Sequence, residues 1–277
     1  MPELPEVETI ARGLSSTIVG ATITHVVVRD RRLRWPIPAQ FEAQLIGQRI
    51  ERIDRRSKYL LFRLLQQSTQ SSLLAHLGMT GSFIVLDSRN LPALKTHDHV
   101  DIVLNNGTTL RYNDPRRFGS MHVFNGADID QPLLAHLGPE PLTDALTGAH
   151  LYAHTRRRSC AIKHALMDNT LVVGVGNIYA NESLFRAGIH PNRAANRVSR
   201  ARYDTLAREV KTVLTEAITA GGSTLRDYVN TRGEPGYFQL NYFVYGRDGE
   251  PCKQCENTLK LTRHGGRATV FCSYCQR

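Results

Sequence analysis

The sequence predicts an α+β protein of two domains. An N-terminal β-sandwich flanked by one helix precedes a helical half that ends in a small four-cysteine β-hairpin finger. Three observations carry this. Strand-like apolar runs fill the first 130 residues. Amphipathic helical spacing takes over after about residue 150. Four of the five cysteines fall in the last 26 residues, as two C-x-x-C pairs. The boundaries read from these shifts are 1–130 for the β-rich domain and 131–149 for a linker. Residues 150–245 form the helical module and 246–277 the finger.

The elements follow in order. Pro5 suits a first helical position, and Glu6 and Glu8 suit the positive end of a helix dipole. Val7, Ile10, Ala11 and Leu14 then repeat at helical spacing. Ala21–Val28, Lys58–Leu65 and Ser72–Leu86 are strand-like, the last interrupted by the glycines of His76-Leu77-Gly78-Met79-Thr80-Gly81. Val100–Leu104 and Thr108–Tyr112 flank Asn105-Asn106-Gly107, a hairpin turn. Pro132, Gly138, Pro139, Pro141 and Gly148 mark the linker. Short helices are expected over Ala161–Met167 and Ile178–Ala187. A long one carries the stripe Tyr203, Leu206, Val210, Val213, Leu214, Ala217, opened by Ser199 and closed by Gly221-Gly222. Residues 221–245 read as a long loop of the kind that forms functional lids.

Charge is unevenly spread. Residues 1–149 hold 16 Lys+Arg against 15 Asp+Glu, and residues 150–277 hold 19 against 10, so nearly all of the net +10 lies in the second half. A basic half beside a neutral one suggests a module that grips a polyanion, nucleic acid first. No apolar run approaches membrane-spanning length, and the first twenty residues carry Glu3, Glu6 and Glu8 without an apolar signal core. The expected compartment is the cytoplasm.

Cys252-x-x-Cys255 and Cys272-x-x-Cys275 are separated by sixteen residues. Each pair bites an ion from a tight turn, and together they close a tetrahedral thiolate site for one structural zinc ion. Two disulfides would fit a reducing cytoplasm poorly. Four thiolates leave no open position, so this metal does no chemistry. Cys160 lies apart and reads as an incidental thiol.

The start of the chain is the strongest candidate for chemistry. Removal of Met1 would leave Pro2 as a free secondary amine, and an α-amino group titrates near ~8 rather than the ~10 of lysine. Such an amine attacking a carbon that bears a ring oxygen forms an iminium, the logic of a lysine Schiff base. Glu3 is one residue away as a proton donor or acceptor. A plain helix start explains the same residues, and the two readings are compatible. Lys58 lies among Arg55, Arg56 and Tyr59, either as part of a solvated basic edge or as a lysine aimed at phosphate or at proton transfer. Met79 and the aromatic of Asp114-Pro115-Arg116-Arg117-Phe118-Gly119 sit at loop tips beside arginines, the residue types that wedge into a base stack. His97-Asp98-His99 reads as hydrogen-bonded structure or a phosphate contact rather than a metal site. Val173-Gly174-Val175-Gly176-Asn177 is a glycine turn that presents backbone N–H groups and Asn177 to a phosphate. Arg267 lies between the two cysteine pairs, where a rigid finger would hold it on a phosphate.

Together these segments resemble the bacterial formamidopyrimidine-DNA glycosylase family, which removes oxidised purines such as 8-oxoguanine. The resemblance spans Pro2 to Cys275. It rests on PELPEVE at the start, SKYL at 57–60, HLGMTG at 76–81, HDHVD at 97–101 and DPRRFG at 114–119. MDN at 167–169, GVGNIY at 174–179 and the terminal finger complete it. It implies Pro2 as the Schiff-base nucleophile, Glu3 as the acid at the sugar, Lys58 in the elimination steps and Arg267 on the lesion phosphate. It further implies a phosphate clamp of His76, Asn177 and Tyr245, with His97 and Lys163 as additional DNA contacts. Met79, Arg116 and Phe118 would fill the gap left by an everted base, and Ser223 would belong to a lesion-recognition lid. The helical part would be a helix–two-turn–helix module. The partner would be damaged duplex DNA and the protein a monomer. One departure stands out: where the family often has a basic residue just before Ala161-Ile162-Lys163, this chain has Ser159 preceded by Arg158, and both are candidates for that contact. Two rivals remain, an endonuclease VIII-like glycosylase for oxidised pyrimidines and a non-catalytic zinc-finger DNA-binding protein. Leu4 and the long 221–245 loop favour the purine enzyme over the first, and Pro2 with Glu3 argues against the second.

Overall fold

The structure is a computed structural model that describes residues 2–223 and 238–277. The chain divides into two compact units. One contains the residues up to Ala135 together with the segment beginning at Gly221, and the other contains His136–Ala220 and Phe238–Arg277.

The first unit opens with helix α1 (Leu4–Ile18), whose Leu4, Val7, Ile10, Ala11, Leu14 and Ile18 are buried, the one-sided stripe that the spacing predicts. Strand β1 (Ile23–Val28) follows, then the short helix α2 (Phe41–Leu45) and strands β2 (Arg49–Arg56), β3 (Tyr59–Gln66), β4 (Thr69–His76), β5 (Ser82–Asp87), β6 (Asp98–Leu104), β7 (Thr108–Asn113) and β8 (Ser120–Phe124). They form two antiparallel four-stranded sheets, ordered β1-β6-β7-β5 and β2-β3-β4-β8. Phe62 on β3 meets Phe83 on β5 edge-to-face at 5.7 Å. Both belong to one apolar core with Val7, Ile10 and Leu14 of α1, so the sheets pack face to face with the helix sealing the same core.

Sequence periodicity misses β2 and β8 and reads two further strands as one run. β2 reads Arg-Ile-Glu-Arg-Ile-Asp-Arg-Arg and gives the core only Ile50, fully buried, and Ile53, partly buried, the pattern of a polar sheet edge. The apolar run 72–86 is two strands in different sheets. Gly78 divides them: its φ of +61° is left-handed, and a Cβ there would strike the backbone of Phe118 and Gly119.

A short helix α3 (Pro132–Ala135) closes this part of the chain, inside the stretch that composition marks as linker. The second unit has helices α4 (Gly148–Thr155), α5 (Ile162–Leu166), α6 (Asn177–Arg186) and α7 (Arg200–Thr219). Thr147 caps α4 and Ser199 caps α7, each hydroxyl accepting a backbone N–H. The α7 stripe is buried as expected, and the chain leaves the helix at Gly221 and Gly222 with φ of +76° and +81°. Strands β9 (Lys260–His264) and β10 (Arg267–Phe271) make the terminal hairpin, turning on Gly265 and Gly266 at φ +53° and +75°. The lid expected over 221–245 lies outside the described residues between 224 and 237. Among the described residues no helix is long and apolar enough to cross a membrane.

Candidate active site

Pro2 is buried, and Glu3, only 2% exposed, is the residue that caps α1. Glu3 and Glu6 form a reciprocal capping box, the Glu6 carboxylate accepting the Glu3 backbone N–H at 2.8 Å. The other Glu6 oxygen accepts the backbone N–H of Ser223 at 2.8 Å. Ser223 is itself fully buried. One carboxylate with no solvent exposure thus fixes both the chain start and the first residues after α7. The sequence reading gave Glu6 only a helix-dipole role. The E-x-x-E spacing of a capping box was the available signal, but nothing local signalled Ser223.

Lys58, 9% exposed, sits in the turn between β2 and β3. Ser57 before it has a left-handed φ of +57°, strain that a non-glycine residue tolerates only where its surroundings fix it. The fixing is visible. Arg55 pairs with Glu8 of α1 at 2.8 Å and donates to the Ser57 carbonyl at 3.1 Å. Burial pushes the Glu8 carboxyl up, but hydrogen bonds and charge from Arg55 and Arg12 outweigh it and hold the group below its ordinary range. The Lys58 turn is therefore tied to α1, the helix that follows Pro2 and Glu3. His76, at the end of β4, packs against Tyr59 with ring centroids 4.9 Å apart. Burial, then the charges of Lys58 and Arg34, push His76 down to about 4, so the imidazole is neutral at pH 7.

The loop after β4 and the loop between β7 and β8 meet through Asp114, which is fully buried. Its carboxylate accepts from Thr80 Oγ1 at 2.6 Å, Gly119 N at 2.8 Å and Tyr112 OH at 3.2 Å. Thr80 Oγ1 in turn accepts the Arg116 backbone N–H at 3.1 Å. Anchored at their bases, the loops leave Met79 37% and Phe118 45% exposed at their tips. The Arg116 guanidinium lies 4.7 Å over the Phe118 ring. All three residues expected to act as a wedge are thus grouped on one rigid base. His97 lies just before β6, its carbonyl accepting the Asp114 backbone N–H at 3.1 Å and its Nδ1 buried without a partner among the described residues. His99 Nε2 meets the Asp114 carbonyl at 2.9 Å. Among the described residues His97, Asp98 and His99 form no metal cluster.

In the second unit, Asn177 opens α6 after Gly174 at φ +79°, and its Oδ1 is buried without a partner among the described residues. The Glu182 carboxylate on the same helix accepts the backbone N–H groups of Phe243, Val244 and Tyr245 at 2.8, 3.0 and 2.8 Å. Tyr245 is therefore carried on the frame that positions Asn177. Glu182 was not read from the sequence, where it is one more charge on a helix.

Two basic candidates have partners within the chain. Lys163, taken as a DNA contact, is 3% exposed. Its ammonium donates to the Ala268 carbonyl at 2.9 Å and to Thr269 Oγ1 at 2.7 Å, both on β10, so it braces the strand that begins with Arg267. Arg267 itself is exposed beside the hairpin turn. Arg158 pairs with Asp168 at 2.6 Å, whereas Ser159 is exposed.

The Sγ atoms of Cys252, Cys255, Cys272 and Cys275 all lie within 4.8 Å of one another. Cys255–Cys272 and Cys252–Cys275 are 3.4 and 3.9 Å apart, against the about 3.8 Å edge of a tetrahedron with Zn–S bonds near 2.3 Å. Backbone N–H groups of Gln254 and Cys275 point at Cys252 and Cys272 sulfurs at 3.5 Å, and the Asn257 amide at Cys255 at 3.3 Å. Donors aimed at sulfur stabilise thiolates, so the residues fit one structural zinc ion.

Three family models together match most of the chain. The N-terminal domain of formamidopyrimidine-DNA glycosylase matches residues 1–121 and its H2TH domain residues 137–229, while the zinc finger found in FPG and IleRS matches residues 249–277. Formamidopyrimidine-DNA glycosylase of Stutzerimonas stutzeri is 54% identical over all 277 residues of both chains, and that of Pseudomonas savastanoi 53% over the same length. Among solved structures, the Fpg protein of Thermus thermophilus superposes with a TM-score of 0.87 at 40% identity, covering 99% of this chain and 98% of that one. A Lactococcus lactis Fpg mutant in complex with Fapy-dG-containing DNA superposes with a TM-score of 0.90 at 33% identity, over the whole of both chains.

Proposed function

This chain belongs to the formamidopyrimidine-DNA glycosylase family, and from that premise we propose how its own residues cut an oxidised purine out of duplex DNA. It is a DNA glycosylase and abasic-site lyase of base excision repair. Once Met1 is removed, the Pro2 nitrogen attacks C1′ of the lesion nucleotide. The C1′–N9 bond breaks, and its electron pair leaves with the base, which takes up a proton. Glu3 protonates O4′ as the C1′–O4′ bond opens, leaving an iminium between Pro2 and C1′. Loss of a C2′ proton expels the 3′ phosphate. Loss of a C4′ proton then expels the 5′ phosphate, and water releases the sugar fragment from Pro2. Lys58 and Arg267 assist these eliminations by proton transfer and by stabilising the departing phosphates.

Met79, Arg116 and Phe118 occupy the gap left by the everted base, Arg116 facing the orphaned partner base. His76, Asn177 and Tyr245 take lesion-strand phosphates, with His97 and Ser159 or Arg158 as further contacts, and Lys163 acts through the strand it braces. Ser223 belongs to the base pocket. The zinc ion holds the hairpin that carries Arg267. The protein works as a monomer in the bacterial cytoplasm, on nucleoid DNA.

The observation that supports this reading is the buried Pro2 next to Glu3, the cap of α1, with the Lys58 turn tied to the same helix through Glu8 and Arg55. Borohydride trapping on a duplex containing 8-oxoguanine tests it. Wild-type protein is expected to give a covalent adduct that maps to Pro2 and is lost in Pro2→Gly. An adduct retained in that variant, or Met1 retained on fully active protein, would overturn the mechanism.

A further inference from the structure

The loop between β1 and α2 carries four arginines, and three are paired with carboxylates. Arg29 pairs with Asp101 at 2.6 Å, Arg31 with Glu42, and Arg32 with Asp30 at 2.8 Å. Asp30 also takes Arg117 of the β7–β8 loop at 2.7 Å. Arg34 is the exception. It is exposed and in no ion pair or side-chain hydrogen bond among the described residues, and its guanidinium lies 4.7 Å over the ring of Trp35. Trp35 is 39% exposed and is backed by His122, edge-to-face at 5.7 Å. Burial pushes His122 down, so at pH 7 it adds no charge behind the indole.

Two further observations locate this guanidinium. The Arg34 backbone N–H donates to the Gly119 carbonyl at 3.0 Å, one residue past Phe118. Its charge is also felt at Tyr59 and His76, where it joins Lys58 in holding His76 neutral. At His76 the positive charge of Lys58 and Arg34 outweighs the Asp114 carboxylate, and among the described residues no carboxylate pairs with Arg34. Such an arrangement gains most when a polyanion arrives.

We propose that Arg34 is a further DNA contact of the enzyme. Its ligand is a phosphodiester of the lesion-bearing strand, next to the one taken by His76. Trp35 sets the plane of the guanidinium so that its free edge meets the phosphate with two parallel N–H donors. Because the same residue is bonded to Gly119, the phosphate grip and the wedge loop move as one piece. The proposal rests on the assignment of His76 to a phosphate and of Met79, Arg116 and Phe118 to the duplex gap.

The test uses full-length, zinc-loaded protein and a duplex carrying an uncleavable tetrahydrofuran abasic analogue, titrated across a salt series. Arg34→Gln is expected to bind about tenfold more weakly at low salt and to lower the slope of log K against log salt by about 0.9, the signature of one lost phosphate. Arg34→Lys should keep the slope while binding a few-fold more weakly than wild type, since an ammonium lacks the fork. A neutral methylphosphonate walked along the lesion strand should abolish the difference between wild type and R34Q at one linkage only. Equal slopes and affinities for wild type and R34Q would overturn the proposal, as would a difference that survives at every linkage. A wild-type protein that forms no borohydride adduct on abasic duplex sinks the underlying reading instead, whatever the salt slopes show.

Discussion

Two arginines stand on strand-connecting turns in this molecule, one joining the two sheets and one closing a hairpin, and they are supported in opposite ways. Arg116 stands on the β7–β8 loop, whose base is closed by the buried carboxylate of Asp114 and three donors, two from the loops and Tyr112 from β7. Arg267 stands on the β9–β10 hairpin, whose base is closed by four clustered cysteines. The first loop belongs to a unit with an extensive apolar core drawn from both sheets and α1. The finger's core consists of Val244, Leu259, Val270 and two of the cysteines packed on Phe185 of α6. A large core can afford a polar staple, because surrounding side chains keep water out and hold the donors in line. A finger of this size buries too little apolar surface to order itself, and needs metal.

That contrast can be broken most forcefully at the metal. Stripping zinc with a chelator, or substituting Cys272→Ala, should unfold the finger and lower affinity for lesion DNA by more than about a hundredfold, while the melting of the first unit is unchanged. Domain-resolved calorimetry with a binding titration checks this, and retained affinity in the metal-free protein would refute it. Next is the staple. Asp114→Ala leaves Tyr112, Thr80 and Gly119 without their shared acceptor, and should destabilise the first unit by about 3 kcal/mol with no change in zinc content. Urea unfolding and metal analysis measure the two effects separately.

A smaller effect belongs to the tips that the staple supports. Met79→Ala should slow base removal about tenfold while leaving strand cleavage at a pre-formed abasic site nearly unchanged, since wedging matters only while a base must be everted. Equal slowing in single-turnover assays of both steps would count against the wedge. The mildest effect is acid sensitivity. His76 is pushed from 6.5 to about 4 in the folded protein, so the unfolded chain binds the extra proton first. Its contribution is complete above pH 6.5 and is lost as pH falls towards 4. His76→Gln should flatten that fall by about 1–2 kcal/mol, the rest being screened by solvent at the partly open ring. An unchanged pH profile of stability would show that the imidazole is not neutral in the fold.

The sequence by itself determined what local spacing can encode. The α7 stripe with its Ser199 cap and glycine stop, the Asn-Asn-Gly hairpin, the four thiolates and the Pro2-Glu3 start are all set within a few residues, where periodicity, turn chemistry and ligand spacing act directly. Tertiary structure alone decided which distant groups share a buried charge. Glu6 reaches Ser223 across 217 residues, Asp114 joins two loops, Glu182 gathers three consecutive amides, and Lys163 turns inward to β10. A carboxylate or ammonium in a sequence does not name its partner. Its long side chain is satisfied by whichever donors or acceptors the packed core delivers, and only folding delivers them.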